Sequence, residues 1–593
     1  MKPMSYRVLS PAIYAALLTL GTVGGATAQQ RPQLVSAAEP QQAVGFDIYL
    51  PLQNTDKLDE LLAAQHTQGS PAYHQWLTPQ QFQTRFGPNP AQFEKIAAEL
   101  RSQGFTVTAT TSRSLHVEGT TNLVKSAFHA DLWHAGTSAF KDRLVSPTPL
   151  ALSPAMIEAG AHIMGFAPQA QHHTFARTLG AVPENRYSAD GPYWFDDLKQ
   201  AYYFPSYKAL TGHGRTIAVV IDSDVYDSDL STFFGHEGLV PPLVVRVPVL
   251  GGPGAIDPSS SSALEAAVDS QQSGGMAPGA TIALYMPPDL TDNSVLAAYQ
   301  TIIDDNKADI VSSSFGLPEL YYTAAYNGGV DYTYILHLFE EVFKQGNAQG
   351  ITFVVASGDS GGLGALDPTG TYMVAGINHP ADDPHVTAVG GTNLVTTYTS
   401  GSLESKYVSE NAYFDALDPT QTGIPNLNFA GGGGKSVIFG KPLYQELVHT
   451  GSSTHSIPDM SLHMGGCPLI ALMPCGPDRS ASVVALDGAF YGVIGTSLSA
   501  PDLAGLLALE EEHLHTRLGN VNYEIYGLSA LQHAGFYYSF HQNIPGNNGL
   551  YTSPASKNGG YNLVLGNGTP IGVNFILAPF TPVAGTPQTP TNP

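Results

Sequence analysis

Between residues 214 and 391 the sequence repeats a pattern that few folds can accommodate. A short, nearly uninterrupted apolar run is followed by a helical stretch, and then by another such run. The runs are "GRTIAVVIDS", "ATIALYM", "ADIVSSSFG", "GITFVVASGDSG" and "VTAVGG"; the helical stretches include "SVLAAYQTIIDDN" and "YTYILHLFEEVFKQGNAQG". A strand without polar alternation must be covered on both faces, and strands joined through helices run parallel. The pattern therefore predicts an α/β fold on a doubly wound parallel sheet. Ligands of such sheets bind beyond the carboxyl ends of the strands, so the exits "SSSFG" and "ASGDSGG" are where a site is expected.

Ahead of this region, residues 46 to 170 alternate short strands and helices. "FDIYLPL" reads as a strand, while "TDKLDELLAAQHT" and "PAQFEKIAAELRSQGF" have helical spacing, the second stopped by Gly104. "TVTATTSRSLHVEG" reads as a strand pair, which predicts a small α+β domain. Residues 171 to 191, "QHHTFARTLGAVPENRYSADG", have linker chemistry, and an exposed linker is where proteolytic nicking falls. At 593 residues the chain is long enough for several domains.

The first residues read as a secretory leader, residues 1–28. Lys2 and Arg7 precede an apolar run, and Ala26-Thr27-Ala28 supplies the small-x-small cleavage pattern. No other stretch approaches membrane-spanning length. Forty-nine acidic residues against 25 Lys and Arg give a net charge of −24, which argues against nucleic-acid binding. Cys467 and Cys475 read as a small disulfide loop, since two thiols with only His463 nearby do not complete a zinc site. The last stretch, "PFTPVAGTPQTPTNP", has no hydrophobic face and is expected to be disordered.

"GTSLSAPDLAG", residues 495 to 505, is a hydroxyl-rich turn running into an apolar helix, with Ser497 as a candidate nucleophile. A serine needs a base within hydrogen-bond reach. No histidine motif follows the first strand; "SSALEAAVDSQQSGGMAPGA" stands there instead, carrying Glu265 and Asp269 four residues apart on one helical face. Such a pair often lines a solvated helix edge. Here the helix is Ala-rich, without Lys or Arg, and reads as buried. Buried adjacent carboxyls share protons and can supply a base. Asp359, among glycines at a strand exit, is either a turn former or an acid able to donate toward an oxyanion.

Taken in order, "ALEAAVD", "ASGDSG", "HPADDPHVTAVGGT", "GGGGKSVIFGKPLYQ", "SIPDMSL" and "GTSLSAP" resemble the sedolisins, the serine-carboxyl peptidases. "YHQWLTPQQFQTRFGPNPAQFEKIAAELRSQGFTV" resembles an activation prodomain of the pro-kumamolisin type. The resemblance covers about residues 35 to 575. It implies a subtilisin-like catalytic domain (192–577) preceded by a prodomain (33–172) and a linker holding the activation cleavage (173–191), with a tail at 578–593. It also implies roles: Ser497 as nucleophile, Glu265 as general base, Asp269 as its positioning partner, and Asp359 in the oxyanion hole. The implied protein is a secreted, acid-active serine-type peptidase made as a zymogen, an endopeptidase with tripeptidyl-peptidase action as a further option. Its partners would be protein or peptide substrates and its own prodomain as inhibitor, and the expected state is a monomer. The prodomain is expected to cover the cleft and to loosen in acid, with His162, His172 and His173 near the junction; "QHH" itself reads as solvated.

The chain departs from the family at the calcium loop. Gln542 or Asn543 stands where the first aspartate is expected, Asn562 replaces the second, and Asn558 replaces a glycine beside Gly560. Loss of two carboxylates predicts a weak or absent site, with no cofactor expected. The glycine run 431–434 lacks a phosphate-loop lysine and is expected beside a substrate strand. Two rival readings stay open: an inactive scaffold that binds peptides, and a neutral subtilisin-type enzyme, which lacks its histidine motif.

Overall fold

The computed structural model describes residues 33–109, 111–137, 140–167, 171–181, 192–399, 404–417, 423–465, 481–554 and 560–578. The expected leader, the Cys467/Cys475 pair, Asn558 and the tail beyond 578 lie outside these residues.

The parallel sheet has eight strands. From one edge the order is Leu243–Pro248, Thr281–Met286, Thr216–Val220, Ile310–Ser313, Thr352–Ala356 and Thr387–Thr399, every pair parallel. Met460–His463 pairs in parallel with the first part of Thr387–Thr399, and Glu404–Ala412 runs antiparallel along the rest. The chain fills one side of Thr216–Val220 first and the other side later. A topological switch point thus falls between Thr216–Val220 and Ile310–Ser313, where a crevice opens at the strand ends. Leu243–Pro248 was not legible as a strand, because it is a half-exposed edge with no buried run.

Alternation along the strands builds two cores. Ile217 and Val219 pack with Ala266, Met276, Leu503 and Leu507, while Ala218 and Val220 pack on the opposite face with Val295, Tyr299, Phe339 and Phe343. Each such fully buried Leu, Ile or Phe contributes about 1.5–3 kcal/mol. Helices Ser261–Met276 and Thr496–Leu514 lie on the first face; Asp292–Asp305 and Tyr334–Ala348 lie on the second. No helix among the described residues is long and apolar enough to cross a membrane.

The N-terminal domain is α+β, as expected. Its four-stranded antiparallel sheet runs Thr106–Ala109, Ser114–Thr120, Ala43–Tyr49, His162–Met164, and Pro90–Ser102 packs on it through Ile96, Ala97 and Leu100. The Pro79–Phe86 helix starts with a full capping box, Thr78 and Gln81 bonding each other's backbone N–H.

This domain docks on the second face of the sheet domain. Arg113, fully buried, ion-pairs with Glu341 and donates to the Leu50 carbonyl at 3.1 Å. Ser112 donates from its N–H and hydroxyl to Asp304, 2.7 Å each, and Lys344 meets Asp59 at 2.9 Å. Trp76 lies against the backbone of Gly350 and Gly519, where an added Cβ would come within 2.6 and 2.7 Å of the indole. The folded domain thus sits on helices, and among the described residues it is the segment after it that enters the cleft. That corrects the expectation that the domain itself covers the site.

Candidate active site

Glu265 and Asp269 sit on Ser261–Met276, a helix capped by Ser260 and buried from Ala263 onward. Both carboxyls are fully buried. Glu265 Oε2 accepts the Ala176 N–H at 2.8 Å, and Asp269 Oδ1 accepts the Ser314 hydroxyl at 2.6 Å. Burial, then the charge of Asp269, pushes Glu265 well above the usual carboxyl range; the Ala176 N–H and the Ser497 hydroxyl pull the other way. Burial also raises Asp269, opposed by Ser314. Two buried carboxyls this close hold one negative charge between them far more readily than two.

Ser497 is fully buried in the first turn of Thr496–Leu514, and its hydroxyl donates weakly to the Ser314 carbonyl at 3.5 Å. The helix starts at Gly495, whose φ of 134 is open only to glycine. A Cβ there would stand 2.8 Å from both Asp359 Oδ2 and the Phe175 carbonyl oxygen. Asp359 follows the buried strand Thr352–Ala356 and accepts from the Thr496 N–H and hydroxyl, 2.8 Å each, both on Oδ1. Its Oδ2 has no hydrogen-bond partner among the described residues. Burial pushes Asp359 up to about 6, against the Thr496 donors and the Arg177 guanidinium. Below that value the side chain is a neutral acid that can donate.

All four residues singled out in the sequence therefore converge on one crevice. Ser314, in the "SSSFG" exit, was not singled out. It ties the site together, bonding Asp269 with its hydroxyl and receiving Ser497 on its carbonyl. Its signal was the hydroxyl-rich strand exit at the switch point.

The presumed linker behaves differently from its composition. His172 is buried and bonds Asp292 through Nε2 at 2.9 Å, so "QHH" is not solvated. His173–Thr174 pairs antiparallel with Phe315–Pro318, and Arg177–Ala181 pairs antiparallel with Ala489–Ile494. Backbone groups offered by two exposed strand edges outweigh the polar composition that reads as solvent-facing. The glycine run 431–434 also differs from expectation. Gly432 donates to the Gly358 carbonyl and packs on Ser357, and a Cβ on Gly433 would strike the Leu563 carbonyl, so the close approach is to the domain's own backbone.

The loop matched to calcium does not fit a cation cage. Asn562 Oδ1 already accepts the N–H of Val564 and Leu565, 3.0 Å each. The Gln542 amide nitrogen reaches Ser529 and the Asn567 carbonyl, Asn543 is exposed, and Gly560 has open space around it. None of these positions carries a carboxylate, the ligand that gives such sites affinity.

Residues 31–147 match the family model "Pro-kumamolisin, activation domain", and residues 259–516 match "Subtilase family". The chain is 26% identical to xanthomonalisin of Xanthomonas sp. (strain T-22) over 571 residues, covering 90% of this chain and 65% of that protein. It is 30% identical to kumamolisin of Bacillus sp. (strain MN-32) over 396 residues, covering 64% and 62%. Against sedolisin of Pseudomonas sp. (strain 101) it is 25% identical over 526 residues, covering 87% and 81%. The chain thus spans a little under two thirds of the length of the first two relatives. A structure of Pseudomonas sedolisin (serine-carboxyl proteinase) complexed with two molecules of pseudo-iodotyrostatin superposes with a TM-score of 0.52 at 23% identity, covering 65% of this chain and 96% of that one. That likeness carries the fold.

Proposed function

The chain belongs to the sedolisin family, and from that premise we propose that it is a secreted, acid-active serine-carboxyl peptidase made as a zymogen. One observation carries the reading: a buried Glu265–Asp269 pair, Ser314, Ser497 and Asp359 converge on the main chain of an extended segment.

Ser497 Oγ attacks a peptide carbonyl carbon while Glu265 takes its proton. Asp269, held by Ser314, keeps the pair's second carboxyl in place and shares its proton. Asp359 in its neutral form donates from Oδ2 to the oxygen that becomes negative, beside the backbone at Gly495. Glu265 then returns the proton to the departing amine, and water completes hydrolysis by the reverse sequence. The site needs one ionised carboxyl in the pair and a protonated Asp359. Activity therefore falls on the alkaline side as Asp359 ionises near about 6. No step calls on calcium.

The test is hydrolysis of a mixed peptide library at about pH 4, near where ordinary carboxyl groups titrate, by the parent and by Ser497→Ala. Turnover by the parent alone supports the reading. Saturable peptide binding without turnover by either would make the protein a binding module.

A further inference from the structure

We propose that the chain cuts itself first between Phe175 and Ala176, and that the slot holding Phe175 selects an aromatic residue before the scissile bond. The inference rests on the peptidase reading and goes beyond it by naming one bond and one side-chain class.

The segment 172–181 crosses the crevice in an extended conformation, and its hydrogen bonds set the register. On the N-terminal side, Thr174 pairs with Phe315 and His173 with Gly316. The Phe175 N–H donates to the Ser314 carbonyl at 3.2 Å, the same oxygen that receives the Ser497 hydroxyl. The residue bearing the nucleophile and the residue to be attacked thus share one acceptor. The Phe175 carbonyl oxygen and Asp359 Oδ2 both lie 2.8 Å from the point where a Gly495 Cβ would stand, which puts that carbonyl beside the acid that donates to its oxyanion. On the other side of the bond, the Ala176 N–H donates to Glu265 Oε2 at 2.8 Å. The Ala176 nitrogen is the atom that must receive a proton when the C–N bond breaks, and Glu265 is placed to give it. From Arg177 onward the chain pairs with Ala489–Ile494. Among the described residues, the Phe175–Ala176 bond is the one with its carbonyl on the Asp359 side and its nitrogen on Glu265.

Phe175 is 3% exposed. Its ring tip enters between Gly316 and Gly358: a Cβ on Gly316 would stand 2.8 Å from Cζ, and one on Gly358 would stand 3.6 Å away. The His173 ring closes against it edge-on at 5.3 Å. A slot walled by glycine backbone takes a flat ring and leaves a short or charged side chain poorly held.

The step balances as follows. Ser497 Oγ forms a bond to the Phe175 carbonyl carbon and its proton passes to Glu265. The bond from that carbon to the Ala176 nitrogen breaks, and the nitrogen takes the proton from Glu265 and becomes a free amine. Water then attacks the Phe175–Ser497 ester, giving its proton to Glu265; the Phe175 carboxyl is released, and Ser497 regains its hydroxyl proton.

The full-length zymogen is brought to about pH 4, quenched at short intervals and analysed by intact mass and N-terminal sequencing. The expected first products are a fragment ending at Phe175 and a fragment starting at Ala176, both absent in Ser497→Ala. Phe175→Asp slows this first cut by about tenfold to two-hundredfold, whereas Phe175→Tyr stays near the parent rate. Phe175 is buried, so a second measurement covers misfolding: a free peptide of sequence "AQHHTFARTLGA" is given to the activated parent and is cut at Phe-Ala. A first cut elsewhere, with Phe175→Asp processed at the parent rate, overturns the inference. If the activated protein hydrolyses a peptide library but leaves the Phe-Ala bond intact, the inference falls alone. If it hydrolyses nothing, the peptidase reading falls too.

Discussion

The sheet domain and the domain docked on it store opposite responses to acid. Around the sheet, several carboxyls are buried with no cation beside them. Burial raises Asp502 well above its usual range, burial and Glu524 raise Glu510, and burial pushes Asp459 up to about 7. A carboxyl whose folded value is raised binds its proton in the folded state before the unfolded state does. Its cost to stability shrinks as pH falls through that window, so acid strengthens the sheet domain. At the interface, buried histidines respond in the opposite sense. His66, stacked on Tyr523 at 4.7 Å, is lowered from 6.5 to about 4 by burial, and so is His173 in the cleft. These rings are neutral when docked and take a proton when released. As pH falls from about 6.5 toward about 4 the released state gains protons and docking weakens. His116, raised by Asp47, titrates in the opposite sense but lies inside the N-terminal domain, so it helps keep that domain folded as it leaves. The proposed zymogen would thus be locked at neutral pH and open in acid with its sheet domain still folded.

The largest effect belongs to the centre of the sheet domain. Glu265→Gln removes the base but keeps the shape, and kcat falls by about a hundredfold to ten-thousandfold at every pH; steady-state hydrolysis by the activated protein checks it. Next comes the interface. His66→Phe keeps the stack on Tyr523 without the titrating ring, so hydrogen exchange in the N-terminal domain at about pH 4 is slowed roughly tenfold relative to the parent, with no change at neutral pH. An equal change at both pH values would break the contrast between the regions. Glu510→Gln relieves a buried carboxyl pair and raises the Tm by a few degrees at neutral pH but not in acid, read by calorimetry on Ser497→Ala. The smallest effect is at the C-terminal loop. A calcium chelator leaves Tm and activity unchanged, because Asn562 caps the Val564 and Leu565 N–H groups that would otherwise need an organising ion.

Much of this was legible in the sequence, and the misses share a cause. Uninterrupted apolar strands announced the sheet, and the four-residue spacing of Glu265 and Asp269 on an uncharged helix announced the pair. Those signals are local, since strand burial and helical spacing are written within a dozen residues. Ser314 was missed because its role comes from three partners distant in sequence. Residues 172–181 were misread because their place depends on two strand edges offered by other parts of the chain, and polar composition says nothing of those. The glycine run announced close backbone approach correctly but not whose backbone.

The central claim is that carboxyls, with no histidine, run a serine nucleophile. Its most direct test is the pH dependence of kcat/KM on one peptide for the activated parent and for Asp359→Asn. The account predicts acid activity for the parent that falls above about 6 as Asp359 ionises. It predicts that the asparagine variant, a neutral donor at every pH, is slower at its best but lacks that alkaline fall. A parent profile that rises through neutral pH, with the same alkaline limb in Asp359→Asn, would contradict it.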